Sequence, residues 1–266
     1  MTAFLFDDMV QPLKGVAPWL GGKSQLAPRL VEIINKTPHT TYVEPFSGMG
    51  GVFFRRTNKV NCEVINDYNQ EIANLFKVIQ NHLDPFLELL TYHLNSRLIF
   101  ENLKSQEPAH MTDLQRAVRF YVLQRQCFGG HIGGCFGIDK NSQGRFNLET
   151  QKEELKLFHK RLSRVFIENL DFEDVIKKYD QEETLFYLDP PYYNCEGDYG
   201  KNLFKREDFE RIRDVLKNIK GCFILSLNDT PEVREIFKDF NFESVTLTYT
   251  ISSGAGTQAK EVIITG

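Results

Sequence analysis

"TLFYLDPPYYN" (residues 184–194) sets five mostly apolar residues directly before a carboxylate, two prolines and two tyrosines. An apolar run of this length without polar alternation is the pattern of a strand covered on both faces. Pro190 and Pro191 offer no backbone donor, so the strand must end with Asp189 at its very tip. Such a tip either caps a turn or faces a ligand.

Six further strand-like runs lie around it: "TYVEPF" (41–46), "CEVIND" (62–67), "RVFIENLDF" (164–172), "GCFILSLND" (221–229), "FESVTLTYTI" (242–251) and "KEVIITG" (260–266). Helical spacing falls between them. Ser24 can cap a helix carrying Leu26, Leu30, Ile33 and Ile34, and "SGMGGVFFRR" (47–56) reads as a glycine turn opening into a helix. Further helices are predicted at "YNQEIANLFKVIQ" (68–80), "REDFERIRDVLKNI" (206–219) and "TPEVREIFKDF" (230–240). Strands alternating with helices predict an α/β fold, a doubly wound, mostly parallel, seven-stranded sheet. The last two runs, joined by "SSGAGTQ" (252–258), read as an antiparallel hairpin at its edge, and the first fifteen residues as a loose arm.

Between 83 and 164 the strand signal fades and the chain turns helical and polar, which divides it into a sheet-forming part (1–82 and 165–266) and an inserted helical domain (83–164). Arg97 to Arg164 hold 12 Lys and Arg against 7 Asp and Glu, a balance of +5 inside a chain whose net charge is -4. A global basic excess is absent, so any contact with nucleic acid must come from this local patch. The five cysteines are odd in number and contain no CxxC pair, which fits reduced thiols in a cytoplasm. Cys127, His131 and Cys135 are spaced like metal ligands but lack a fourth, so no metal site is expected. Neither a signal peptide nor an apolar run of membrane-spanning length is legible, and no membrane association is expected.

In a doubly wound sheet, ligands sit beyond the carboxyl ends of the strands, where strand order reverses. Three such ends carry informative residues. In Glu44-Pro45-Phe46-Ser47-Gly48-Met49-Gly50 the glycines permit a close approach of ligand to backbone, while Phe53 stands where a dinucleotide fingerprint places its third glycine. Asp67, 19 residues after Gly48, is placed either to accept from the hydroxyls of a ribose or to cap the helix beginning at Tyr68. Together they favour an adenosine-containing cofactor without a pyrophosphate. At the third end, an amine on an aromatic ring needs acceptors for its hydrogens, because its lone pair is delocalised into the ring. The Asp189 carboxylate and the Pro190 carbonyl can both accept from one amino group, and Tyr192 can stack on the ring that bears it.

With these residues goes a resemblance that covers nearly the whole chain in order. "PWLGGK" (18–23), "YVEPFSGMG" (42–50), "IND" (65–67), "GRFN" (144–147), "DPPYY" (189–193) and "SSGAGTQAK" (252–260) resemble the motifs of the Dam-like, D12 class of DNA adenine-N6 methyltransferases. The resemblance implies the sheet of the S-adenosylmethionine-dependent methyltransferase type, with S-adenosylmethionine as cofactor (S-adenosylhomocysteine as product) and double-stranded DNA as substrate. It implies that Trp19, Lys23, Phe46, Gly48, Gly50, Asp67 and Asp189 surround the cofactor. Asp189, Pro190 and Tyr192 would then hold the N6 amine of an adenine flipped out of the duplex. By the same analogy 83–164 is the target-recognition domain, with Arg125, His131, Lys140, Arg145 and Asn147 as candidate DNA contacts. A cytoplasmic enzyme, bacterial or phage-encoded, with a restriction endonuclease as possible partner, is the corresponding setting. The chain departs from the GATC readers of the family: Phe128 is followed by Gly129, Gly130, His131 and Ile132 rather than by Asn-Gly and a nearby arginine. Cytosine-N4 methylation poses the same problem of an exocyclic amine and stays open, as does a DNA-binding homologue without turnover. Aspartate at 189, where the cytosine enzymes commonly have serine, favours adenine.

Overall fold

The computed structural model describes residues 9–131, 133–138, 143–144, 146–199, 203–249 and 257–266. Seven strands form one sheet: β1 (Thr41–Glu44), β2 (Cys62–Asn66), β3 (Phe166–Glu168), β4 (Thr184–Leu188), β5 (Cys222–Asn228), β6 (Asn241–Tyr249) and β7 (Thr257–Thr265). Their order is β3-β2-β1-β4-β5-β7-β6. The first five run parallel, whereas β7 is antiparallel to both β5 and β6. The sheet is therefore mixed. The last two strands pair as the hairpin reading predicts, with β7 inserted between β5 and β6.

Side chains alternate between two apolar layers, the period of two that a pleated strand imposes. Tyr42, Ile65, Leu185, Tyr187, Ile224 and Ile263 face one layer. Val43, Val64, Phe186, Leu188, Leu225 and Ile264 face the other. Helices cover both: α1 (Ala27–Lys36), α2 (Gln70–Asn81), α3 (Leu83–Leu90), α4 (Arg97–Ser105), α5 (Asp113–Gln126) and α6 (Leu148–Leu162) come from the first part of the chain. The second layer takes α7 (Phe172–Tyr179), α8 (Asp208–Leu216) and α9 (Pro231–Ile236). Residues of α3, α5 and α6 such as Phe86, Tyr121 and Phe158 join the same buried cluster as α1, α2 and the sheet. Among the described residues, α3, α5 and α6 thus pack as part of that layer.

Four local expectations are corrected. Ser24 does not cap α1, which begins at Ala27 with Pro28 in its first turn, the position where a missing N–H costs nothing. The turn after Gly50 opens only into a short 3-10 turn, Phe53–Arg55, because the chain straightens at Arg56 to carry that side chain into a buried ion cluster. Asp67 is not the cap of α2; Asn69 is, accepting from the N–H of Glu71. The described part of the amino-terminal arm is tied down: Val10, Leu13 and Val16 donate to the carbonyls of Thr57, Phe54 and Met49.

The ion cluster lies on the α6 side of the sheet. Glu63 of β2 accepts from Arg56 Nη1 at 2.7 Å and from Arg161 Nη1 and Nη2 of α6 at 2.6 and 2.8 Å. All three residues are buried, and the two guanidinium groups lie over the rings of Tyr42 and Phe53.

Candidate active site

Strand order reverses between β1 and β4, which pair in parallel register from Thr41 opposite Thr184 to Val43 opposite Phe186. The chain therefore leaves β1 at Pro45 and β4 at Asp189 side by side, with the end of β2 as the next neighbour. The three informative strand ends meet for this reason. They line one cleft of about 670 Å³, whose wall includes Trp19, Lys23, Phe46, Gly48, Asp67 and Asp189.

Asp67 holds the glycine turn. One carboxylate oxygen accepts from the N–H of Gly48 and the other from that of Asn69, both at 2.9 Å. Burial pushes its carboxyl up to about 6, against the pull of those two N–H groups. Gly48 has φ +49, in the left-handed region, and a Cβ there would stand 2.8 Å from Trp19 Nε1. Gly50 does not line the cleft; it lies against the ring of Phe54 and shapes the turn from beneath. Phe46 packs tilted against Phe172 at 5.4 Å and edge-to-face against Phe204 at 5.9 Å, and Phe204 closes the same wall.

At the other strand end, Lys23 Nζ lies 2.6 Å from Asp189 Oδ1 and 4.3 Å from the centre of the Tyr192 ring. Lys23 is buried, while about a fifth of the Asp189 side chain is exposed, toward the cleft. Burial raises the carboxyl of Asp189 above its ordinary range, and the ammonium of Lys23 opposes the rise. Pro190 and Pro191 are both buried; Pro191 lines the cleft beside Asp189, whereas Pro190 and Tyr192 are not part of its wall. Tyr193 anchors the loop: its N–H donates to Asn228 Oδ1 at 2.9 Å and its carbonyl accepts from Asn228 Nδ2 at 3.0 Å. Its ring packs on Phe209 and beneath Arg206.

Several groups of the site are not legible in the sequence. Glu44, at the end of β1, is fully buried in the cleft wall and accepts from the Tyr42 hydroxyl at 2.7 Å; burial pushes it up to about 8, so that it is mostly neutral at pH 7. Ser226 of β5 donates to Asp189 Oδ1 at 3.3 Å and shares a 3.0 Å hydrogen bond with the Tyr187 hydroxyl. Gln124 of α5 donates to the carbonyls of Pro18 and Gly130, fixing the segment that carries Trp19.

Three of the candidate DNA contacts are among the described residues. Arg125 lines the cleft, donates to the Val16 carbonyl at 3.4 Å and lies 3.6 Å from Glu154. His131 is exposed in the glycine-rich loop, and Asn147 is the cap of α6, accepting from the N–H of Thr150. Lys140 and Arg145 fall outside the described residues, as does most of "SSGAGTQAK". Much of the +5 balance is engaged within the fold: Arg116 pairs with Glu71, Arg119 donates to the carbonyls of Leu103 and Lys104, and Arg161 belongs to the Glu63 cluster. Among the described residues no three His, Cys, Asp or Glu side chains gather as metal ligands, and no helix is long and apolar enough to cross a membrane.

A cleft at the strand reversal of a mixed α/β sheet, with the carboxylate of Asp189 in its wall, is the arrangement of an α/β enzyme site. Comparison with known proteins supplies the family. A sequence model of the D12 class N6 adenine-specific DNA methyltransferases matches residues 19–251, and the chain belongs to that family, as the motifs imply. It is 29% identical to the type II methyltransferase M1.LlaDCHI of Lactococcus lactis subsp. cremoris over 95% of both chains. It is 25% identical to the type II methyltransferase M.CviBI of Paramecium bursaria Chlorella virus NC1A, over 86% of this chain and 88% of that one. The DNA N-6-adenine-methyltransferase of Escherichia phage P1 is 27% identical over 86% of this chain and 32% of its own length.

Proposed function

We propose that this adenine-specific DNA methyltransferase acts on a base flipped out of double-stranded DNA, with Asp189, Pro190 and Tyr192 at the N6 amine and Trp19, Lys23, Phe46, Gly48 and Asp67 around S-adenosylmethionine. The observation that carries this reading is the convergence of all three strand ends on one cleft. The donor set suits the cofactor: Asp67 accepts from ribose hydroxyls, and Trp19 and Phe46 offer ring faces to an adenine. When bound, S-adenosylmethionine supplies a methyl group on a cationic sulfonium.

The protein's share is positioning and charge. Asp189 and the Pro190 carbonyl hold the amine hydrogens, which fixes the nitrogen and directs it toward the cofactor side of the cleft. As positive charge develops on that nitrogen, the adjacent carboxylate stabilises it in a site largely shielded from water. Residues 83–164 are the part proposed to read DNA, with Arg125, His131, Lys140, Arg145 and Asn147 as its contacts. A restriction endonuclease is the partner proposed, since two relatives carry the name type II methyltransferase.

Methylating double-stranded DNA with labelled cofactor and digesting it to nucleosides tests the reaction. N6-methyladenine is the expected product; N4-methylcytosine in its place, or DNA binding without transfer, would overturn the proposal. The cofactor assignment has its own reporter, because Trp19 is the protein's single tryptophan. Titration with S-adenosylhomocysteine should change its fluorescence. Gly48→Ala should weaken that binding by about tenfold, since the new Cβ meets the indole and the left-handed backbone resists a side chain. Unchanged affinity in the variant would remove Trp19 from the contacts proposed for the cofactor.

A further inference from the structure

We propose that Ser226 is a positioning residue for methyl transfer: its hydroxyl, fixed by Tyr187, holds Asp189 through Oδ1 so that Oδ2 receives the amine. The inference rests on the reading of Asp189 given above and adds a group that touches neither substrate nor cofactor.

Ser226 is fully buried in the middle of β5, the strand beside β4, where a hydroxyl is costly unless bonded. Its two partners are both on the chain that ends in Asp189. The Tyr187 hydroxyl, itself buried, lies 3.0 Å away, and Asp189 Oδ1 lies 3.3 Å away. The polar geometry is consistent with one direction: a carboxylate only accepts, so Ser226 donates to Asp189 and accepts from Tyr187. Lys23 reaches the same oxygen at 2.6 Å. With both donors on Oδ1, the carboxylate is held against rotation about its terminal torsion, which is otherwise broad. One oxygen is committed to the protein and the other is presented to substrate.

The site also explains why a neutral donor is useful. Asp189 is faced by Lys23 from the segment before α1, by Tyr187 on its own strand, by Glu44 at the end of β1 and by Glu261 on β7, which is buried and repels it. Burial and the neighbouring Glu261 disfavour the ionised form that must accept the amine hydrogen, and Ser226 opposes them without adding charge.

The test measures methyl transfer to DNA in single turnover across pH for the parent, Ser226→Ala and Ser226→Cys; the thiol keeps a side chain of similar shape but is a weak donor. Both variants should transfer about tenfold more slowly near neutrality. Loss of a donor to the carboxylate raises the pH at which Asp189 ionises, so the acidic limb of the profile should move up by about one unit. Binding of S-adenosylhomocysteine, read from Trp19 fluorescence, should stay within about twofold of the parent, because Ser226 does not line the cleft. A parental limb in either variant overturns the proposal, whether the rate is retained or is lost through general damage. If the parent itself transfers no methyl, the reading of Asp189 fails first; an active parent with an unmoved limb refutes the role of Ser226 alone.

Discussion

Asp189→Ala is expected to lower methyl transfer by about 10³-fold or more, because the substitution removes an acceptor at the reacting nitrogen and the charge that stabilises it in the transition state. The loss is larger than that of one hydrogen bond. Lys23, buried and 2.6 Å from Asp189 Oδ1, would be left facing the cleft as an uncompensated cation beside an amine that is becoming positive. Asp189→Asn keeps the shape and one oxygen acceptor but loses the charge and turns the other oxygen into a donor, so its rate should fall well below the parent's, though no further than the alanine variant's. Transfer of labelled methyl to DNA measures both. An alanine variant within a few-fold of the parent would remove the carboxylate from the mechanism.

The second large effect concerns stability. Glu63→Ala leaves Arg56 and Arg161 buried together without their shared counter-ion, and removing one partner of a buried ion pair costs about 3–5 kcal/mol. Neither guanidinium can escape by losing its proton. For a chain of this size the melting temperature should fall by about 10 °C. Glu63→Gln, which retains an acceptor for one arginine, should fall less. Melting of Glu63→Ala within a degree or two of the parent would show that the cluster is neutralised in some other way, with Glu44 the nearest candidate on the same face.

Those two residues illustrate what the sequence makes legible and what it does not. Asp189 is visible because a doubly covered strand cannot hide its end: five buried residues, then two prolines, leave few places for the carboxylate to be. Asp67 and Gly48 are visible by their spacing, and the hydrogen bond between them is the reason for it. Glu63 carries no such signal. It lies near the start of a short strand and meets a partner 98 residues later, and no periodicity encodes that meeting. Ser226 is hidden in the same way, as one polar residue in the apolar run "CFILSLN". The errors at Ser24 and at the glycine turn are of another kind. At Ser24 a competing local signal wins, since Pro28 suits the first turn of the helix; at the glycine turn the local pattern is adequate for a helix, and the burial of Arg56 overrides it.

The clasp between Gln124, Gly130 and the Trp19 segment bears on how such enzymes diversify. Gly130, with φ +71, packs so closely that a Cβ would stand 2.7 Å from the Trp19 nitrogen; its carbonyl accepts from Leu20, and Gln124 bonds both sides. The glycine-rich loop is pinched shut at its neck by the bridge between Cys127 and Phe136. Its tip is therefore free to vary while its base is shared with the catalytic pocket. Cutting the chain at 83 and 164 would carry away one half of that clasp. Grafts confined to the tip, with Gln124 and Gly130 left in the recipient, preserve the seam on which both halves depend.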